Sequence, residues 1–393
     1  MHAVRGVHSL HLDLWSSADA AFNSGAEPTA AGVSAALASM PTLRALKLSN
    51  GWNAPEHVVA VFVTVLSRLS QLAHLDLSQS QIGRRGFAAL APRLRRLTAL
   101  TWLDLSSNDL QDDAESLAHV LRCLSRLAHL GFSGNVYDAD AAAALAPPLG
   151  LLTTLTHLNL SCGCIPTAAM QSLAPALGRL SRLAHLNLWQ AGIFAAGVAA
   201  LAPALSLLTA LTFLDLGDNC MKAEGMQSLA PALGCLSQLA FLGLITTNLD
   251  VAGAAALAPS LGLLTALTAL VLDHNHFRSA GVTSLAPALG QLPRLAALRL
   301  DCVDFGAAGA AALAPTLGAL TALTGLHFLH NGIGDGGLLH LAPALARLTA
   351  LESLFMLRGN AISDAGVAAF RAGVPACVWA AHERSCWWQG VAP

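Results

Sequence analysis

The chain has 393 residues, 54% of them hydrophobic and only 11% charged, with a formal net charge of −2 and a mean hydropathy of +0.57. That near-neutral balance excludes a global field that would draw it to nucleic acid or to an anionic membrane. The hydropathy would suit a membrane protein, so periodicity has to decide what the apolar residues are for.

From the N-terminus, MHAVRGVHSLHLDLW has no basic segment leading into an apolar core, so it does not read as a signal peptide. Eight scattered cysteines read as reduced thiols rather than a disulfide framework. Both observations point to a cytoplasmic, intracellular chain. Residues 1–42 hold one stretched, degenerate unit, with Leu10, Leu12 and Leu14 alternating and Val33, Leu37 and Met40 on one helix face.

From Leu43 a single line recurs. Its first Leu falls at Leu43, Leu72, Leu100, Leu127, Leu155, Leu183, Leu211, Leu239, Leu267, Leu295, Leu323 and Leu351, in steps of 28 residues from Leu127 onward. This gives twelve repeats over 43–374. Each first half reads L-x-x-L-x-L-x-x-N-x-I, as in Leu211, Leu214, Leu216, Asn219 and Met221. Leu at alternate positions places those side chains on one face of a strand. Each second half reads G-x-x-x-L-A-P-x-L-G-x-L, as in Gly253, Leu257, Pro259, Leu261 and Leu264, which marks one face of a helix. The Pro falls about 200° round from the first inward Leu and so on the outer face. There its missing donor curves the helix toward solvent.

One stretch tests this register. Val251–Leu272 carries no charge and is long enough to span a bilayer. In register it is the end of one helix, a loop and the next strand, so no membrane span is expected. The same register turns Asp273 and His274 into the groove and Asn275 inward to hold the loop. Asn also fills that position at Asn108, Asn135, Asn219 and Asn331, whereas Gly163, Ala191, Thr247 and Val303 replace it elsewhere. The final repeat has one extra residue at LFMLRGN, read as a bulge. Residues 375–393 leave the pattern as a Trp-rich cap or tail containing Trp379, Trp387 and Trp388, with Cys377 and Cys386 as free thiols.

This pattern resembles the leucine-rich repeat family, and its 28-residue length and helical second half resemble the ribonuclease-inhibitor-like subtype. The resemblance implies an α/β fold: a right-handed βα solenoid, or horseshoe, with a parallel sheet on the concave face and helices on the convex face. Stacking buries the Leu set that one unit cannot bury alone. Strands stack about 4.8 Å apart and helices about 8–10 Å apart, a mismatch that bends the stack.

The concave face is the expected binding surface. Two residues after each first Leu stands a run of rings: His74, Trp102, His129, His157, His185, Phe213 and Phe241. Four residues after it stand Lys47, Asp76, Asp104, Gly131, Asn159, Asn187, Asp215 and Gly243, with Trp189 and Asp218 alongside. Aromatic anchors with a few charges are the composition of interface hot spots. The expected function is a non-enzymatic scaffold for a protein partner, a basic one by charge, with no nucleic acid and no cofactor. The histidines also raise the question of a pH sensor. His274, Cys302 and His330 share a column and are zinc-compatible types. Neighbours on parallel strands project side by side, however, so they read as surface polar groups and no metal is expected. Arg84 and Arg85 align with Asp112 and Asp113 of the next unit, which reads as inter-repeat ion pairing within the basic run Arg84–Arg96. No phosphate loop, H-E-x-x-H or nucleophile elbow is present. The alternative reading is a regulatory accessory resembling leucine-rich Ran GTPase activators, or a NOD-like-receptor-type sensor repeat module.

Overall fold

A computed structural model describes residues 9–13, 42–49, 63, 66, 68–110, 113–135 and 138–380. Leu14, Val33, Leu37, Met40, Asp112, Cys386, Trp387 and Trp388 lie outside the described residues. The chain divides into two compact units, Met1–Ala191 and Gly192–Pro393.

In the first unit the strands are β1 (Ser9–Asp13), β2 (Ala45–Ser49), β3 (His74–Asp76), β4 (Trp102–Asp104), β5 (His129–Gly131), β6 (His157–Asn159) and β7 (His185–Asn187). Each pairs in parallel with the next, in a register that sets Leu75 opposite Leu103 and Leu130 opposite Leu158. Between them lie α1 (Gly83–Leu94), α2 (Ala114–Leu121), α3 (Ala139–Leu149) and, after β6, α4 (Thr167–Leu177).

The second unit begins with α5 (Ala195–Leu205) and continues with β8 (Phe213–Asp215), α6 (Lys222–Leu233), β9 (Phe241–Gly243), α7 (Val251–Leu261) and β10 (Ala269–Val271). It then runs through α8 (Arg278–Leu289), β11 (Ala297–Arg299), α9 (Gly306–Leu317), β12 (Gly325–His327), α10 (Gly334–Leu345), β13 (Ser353–Phe355) and α11 (Asp364–Gly373). Its strands also pair in parallel and in chain order.

The core is the Leu ladder. Leu211, Leu214 and Leu216 of one repeat are fully buried, as are Leu229 and Leu233 of the helix that follows. Pro175, Pro203, Pro231 and Pro259 lie inside their unbroken helices on the exposed side. Val251–Leu272 resolves into α7, a turn and the whole of β10. No helix among the described residues is long and apolar enough to cross a membrane.

The loops are held by buried asparagines. Asn275 accepts from the backbone N–H of Thr247 (3.2 Å) and Leu249 (3.0 Å) and donates to the carbonyls of Leu244 (2.8 Å) and Leu272 (2.9 Å). It therefore ties its own turn to that of the preceding repeat. Asn108 and Asn331 do the same in theirs. Where Thr247 replaces Asn, its hydroxyl donates to Leu244 O at 2.9 Å and keeps one of those bonds.

The last repeat corrects the expected bulge. β13 pairs regularly with β12, Ser353 opposite Gly325 and Phe355 opposite His327. The extra residue is absorbed in the turn that follows, where Gly359 and Ala361 adopt positive φ. Asn360 still reaches inward and donates to the carbonyls of Phe328 and Met356.

Candidate functional site

Each three-residue strand presents its middle Leu to the core and its first and third residues to the opposite face of the sheet. Register then stacks equivalent side chains from repeat to repeat. In the first unit the rings form one column. Centroids are 4.8 Å apart for His74 and Trp102, 3.3 Å for Trp102 and His129, 5.6 Å for His129 and His157, and 5.4 Å for His157 and His185. In the second unit Phe213 and Phe241 stack at 4.3 Å and 7°. The tightest pair is Trp102 on His129, tilted by only 2°. His157 is the exposed member; the others are half-buried.

Close packing of imidazoles against rings disfavours their charged form. Burial, and then repulsion from His157, His185 and His74, push His129 down from 6.5 to about 4 against the attraction of Asp76. Its Nδ1 is buried with no hydrogen-bond partner among the described residues. Burial also lowers His74 and His185.

The column four after the first Leu has a second use that sequence reasoning missed. Each Asp or Asn there accepts the backbone N–H two residues on and so closes the turn after its strand. Asp76 takes Ser78 (3.0 Å), Asp104 takes Ser106 (2.8 Å), Asn159 takes Ser161 (3.1 Å), Asn187 takes Trp189 (2.9 Å) and Asp215 takes Gly217 (2.9 Å). The signal is an Asp or Asn two residues before the turn, and charge alone does not reveal it. Trp189 stands half-buried within its turn, and Asp218 lies within the equivalent turn of the next repeat at φ 54°.

The acids differ in their partners. The Lys47 ammonium lies 2.7 Å from Asp76. Burial raises the Asp76 carboxyl, but hydrogen bonds from Lys47 and Ser78 outweigh it and hold the group below the usual range. Asp104 and Asp215 make no ion pair among the described residues. Burial pushes Asp215 up, and the charge of Asp218 adds to that against the Gly217 hydrogen bond. Both carboxylates lean over a glycine of the next strand. A Cβ on Gly131 would stand 2.5 Å from the Asp104 carboxylate, and one on Gly243 would stand 2.5 Å from that of Asp215.

Asp273 does not face the groove. It is fully buried, accepts from Asp301 N–H at 2.8 Å and pairs with Arg299 Nε at 2.7 Å. Asp301 in turn accepts from Leu329 N–H. Spacing misplaces these acids because their side chains bridge to the backbone one repeat ahead, a distance the sequence does not display. His274 is exposed, as expected, and Asn275 turns inward.

His274, Cys302 and His330 occupy equivalent turn positions with φ between 55° and 56°. No group of three or more His, Cys, Asp or Glu among the described residues is arranged to hold a metal ion. Asp113 is buried at the start of α2, while the Asp112 half of the expected pairing with Arg84 and Arg85 falls outside the described residues. At the other end Trp379 packs 6.4 Å from Phe370, with the Arg371 guanidinium 5.2 Å from its ring. Trp379 and Arg371, with Asp364, Val367, Ala368 and Ala372, line a shallow groove of about 530 Å³.

Parallel strands, asparagine-bonded turns and outer helices, repeated with a buried Leu ladder, define a βα solenoid built from one recurrent unit. The chain is a leucine-rich repeat protein, and the family model described as Leucine Rich repeat matches residues 152–174 and 208–230. No curated protein matches the chain significantly. Among solved structures it is similar to an internalin (inlF) from Listeria monocytogenes, at 20% identity and a TM-score of 0.43, covering 73% of this chain and 81% of that one. It is similar to an internalin C2 (inlC2) from the same organism, at 20% identity and a TM-score of 0.41, covering 60% and 83%. A TLR13–ssRNA13 complex matches at 19% identity and a TM-score of 0.47, covering 83% of this chain and 47% of that one.

Proposed function

We propose that this chain is a non-enzymatic protein-interaction scaffold that holds a protein partner on the outer faces of its sheets. The observation that carries the reading is the ring column: His74, Trp102, His129, His157 and His185 in one unit, Phe213 and Phe241 in the other. These rings lie on the face away from the Leu core, so the core does not account for them. Rigid rings lose little side-chain entropy on binding, and Trp102 and Trp189 are of the type that dominates interface energetics. Asp104 and Asp215, which form no ion pair among the described residues, stand beside the rings, which favours a basic partner and disfavours nucleic acid. All seven described cysteines are free thiols, in keeping with a reducing, cytoplasmic setting. The helical 28-residue unit supports a ribonuclease-inhibitor-like subtype.

The test is affinity purification with mass spectrometry of the wild type against a triple variant, Trp102→Ala, His157→Ala and Phe213→Ala. The expected result is loss of the co-purifying protein with an unchanged circular dichroism spectrum. Equal recovery of that protein by a folded triple variant would remove the proposal.

A further inference from the structure

Resting on that reading, we infer that the sheet faces carry two copies of one cation-reading module, one in each unit, and that each receives a basic side chain of the partner. The first is Trp102, Asp104, His129 and Gly131. The second is Phe213, Asp215, Phe241 and Gly243. Both have the same form: ring, Leu, Asp on one strand and ring, Leu, Gly on the next. In both, the two rings stack face to face in nearly parallel planes, tilted by 2° and 7°. In both, the carboxylate leans over the glycine of the following strand.

The chain supplies its own comparison. Asp76 has Lys47 at 2.7 Å, and Asp273 has Arg299 at 2.7 Å. Asp301 lies 4.0 Å from the Arg299 guanidinium and 3.8 Å from His327 Nδ1. Of these five, Asp104 and Asp215 alone have no Lys, Arg or His nitrogen within ion-pair distance among the described residues, and they stand beside the two most nearly parallel ring pairs. Each donates nothing and accepts one backbone N–H through Oδ1, from Ser106 or Gly217. The second carboxylate oxygen is left for a charge-assisted bond. Burial and the neighbouring Asp218 make an unneutralised Asp215 carboxylate unfavourable, the condition in which an incoming cation gains most.

The rings act on the stem of the incoming side chain. Their faces cover one another, so what they turn outward is edge. That edge gives apolar contact to the methylenes of Arg or Lys rather than a cation–π face. A partner read in this way presents basic residues in an accessible segment.

The probe is a fluorescein-labelled peptide of alternating arginine and serine, with citrulline in place of arginine as the neutral counterpart, measured by anisotropy. The wild type binds the arginine peptide and not the citrulline peptide. Asp104→Asn and Asp215→Asn each weaken binding, by about three- to tenfold, the range of a partly exposed charge-assisted bond. The fold tolerates both changes, because Asn159 and Asn187 already close the equivalent turns. Asp140→Asn on α3 and Glu224→Gln on α6, exposed and away from the sheet faces, remove the same charge and leave binding unchanged. Absence of wild-type binding, undiminished binding by both Asn variants, or equal losses in the two control variants overturns the inference. A ring triple variant that loses its partner while the Asp104→Asn/Asp215→Asn double variant keeps it leaves the interaction face standing and removes the cation reading. A ring triple variant that keeps its partner removes the face itself.

Discussion

At the scale of single residues, His129 is the most constrained side chain of the outer face. Trp102 covers one side at 3.3 Å, His157 lies beyond the other, and Nδ1 has no partner among the described residues. The folded state therefore holds the imidazole neutral, with a pKa of about 4 against 6.5 ordinarily. Between those values the unfolded chain binds more protons than the folded one. Stability then rises with pH across the window, and is lost as pH falls from about 6.5 toward 4. His74 and His185 are shifted the same way and add to the trend. The urea midpoint is expected to be lower at pH 5 than at pH 7.5. His129→Phe should reduce that difference, since the Phe213–Phe241 pair shows that this column accepts phenyl rings. An unchanged midpoint, or one higher at pH 5, would contradict the assignment of the buried neutral ring.

At the scale of elements, two contacts decide how repeats join. The first is the turn asparagine. Asn275→Ala removes six bonds at once, leaving among others the buried N–H groups of Thr247 and Leu249 and the carbonyls of Leu244 and Leu272 short of partners. Each buried group left unsatisfied costs about 1–3 kcal/mol, so thermal melting followed by circular dichroism should fall by several degrees. Asn275→Thr, the substitution the chain itself carries at Thr247, should lose less. The second contact is the glycine in the first turn of each helix from α5 to α11. A Cβ on Gly337 would meet Ile333 Cγ2 at 2.6 Å, Ala307 Cα at 3.0 Å and Ala310 Cβ at 3.3 Å, because α10 starts directly against α9. Gly336 beside it meets nothing within 4 Å. Gly337→Val is expected to destabilise by about 1–3 kcal/mol, the cost of overpacking, while Gly336→Ala should be neutral or stabilising. Equal effects from the two in a denaturant titration would mean that the helices can separate without loss.

Much at this scale is legible in the sequence. Leu at alternate positions, then at steps of four and three, prescribes strand and helix whatever surrounds them, because the periods are those of the backbone. The register follows from the same spacing, and so does the ring column, since residues at equal offsets in successive repeats must face each other. The turn-closing role of Asp76, Asp104 and Asp215 is also encoded locally, as an acceptor two residues before a backbone donor, but their charge suggests a different use first. The burial of Asp273 is not readable, because it depends on Asp301 N–H and Arg299, which belong to the next repeat. Nor is the site of the extra residue in the last repeat, because strand and turn can each absorb one and only the pairing of β13 distinguishes them.

At the scale of the whole molecule, a net charge of −2 and 11% charged residues give weak long-range steering, so recognition rests on local groups. The apolar content that would suit a membrane is spent on the Leu ladder, which parallel stacking buries in both units. Repetition makes this readable, since twelve copies of one line can bury their Leu sets together only by stacking. By itself the sequence determined the repeat unit, the class of fold and the face on which the rings stand, because all three follow from periods fixed by backbone geometry. Only the tertiary structure decided which acids are already neutralised and which are not. Lys47 reaches Asp76 and Arg299 reaches Asp273, while Asp104 and Asp215 lean over Gly131 and Gly243 and form no ion pair among the described residues. That difference is one of a few ångströms between side chains of neighbouring repeats, and spacing along the chain does not encode it.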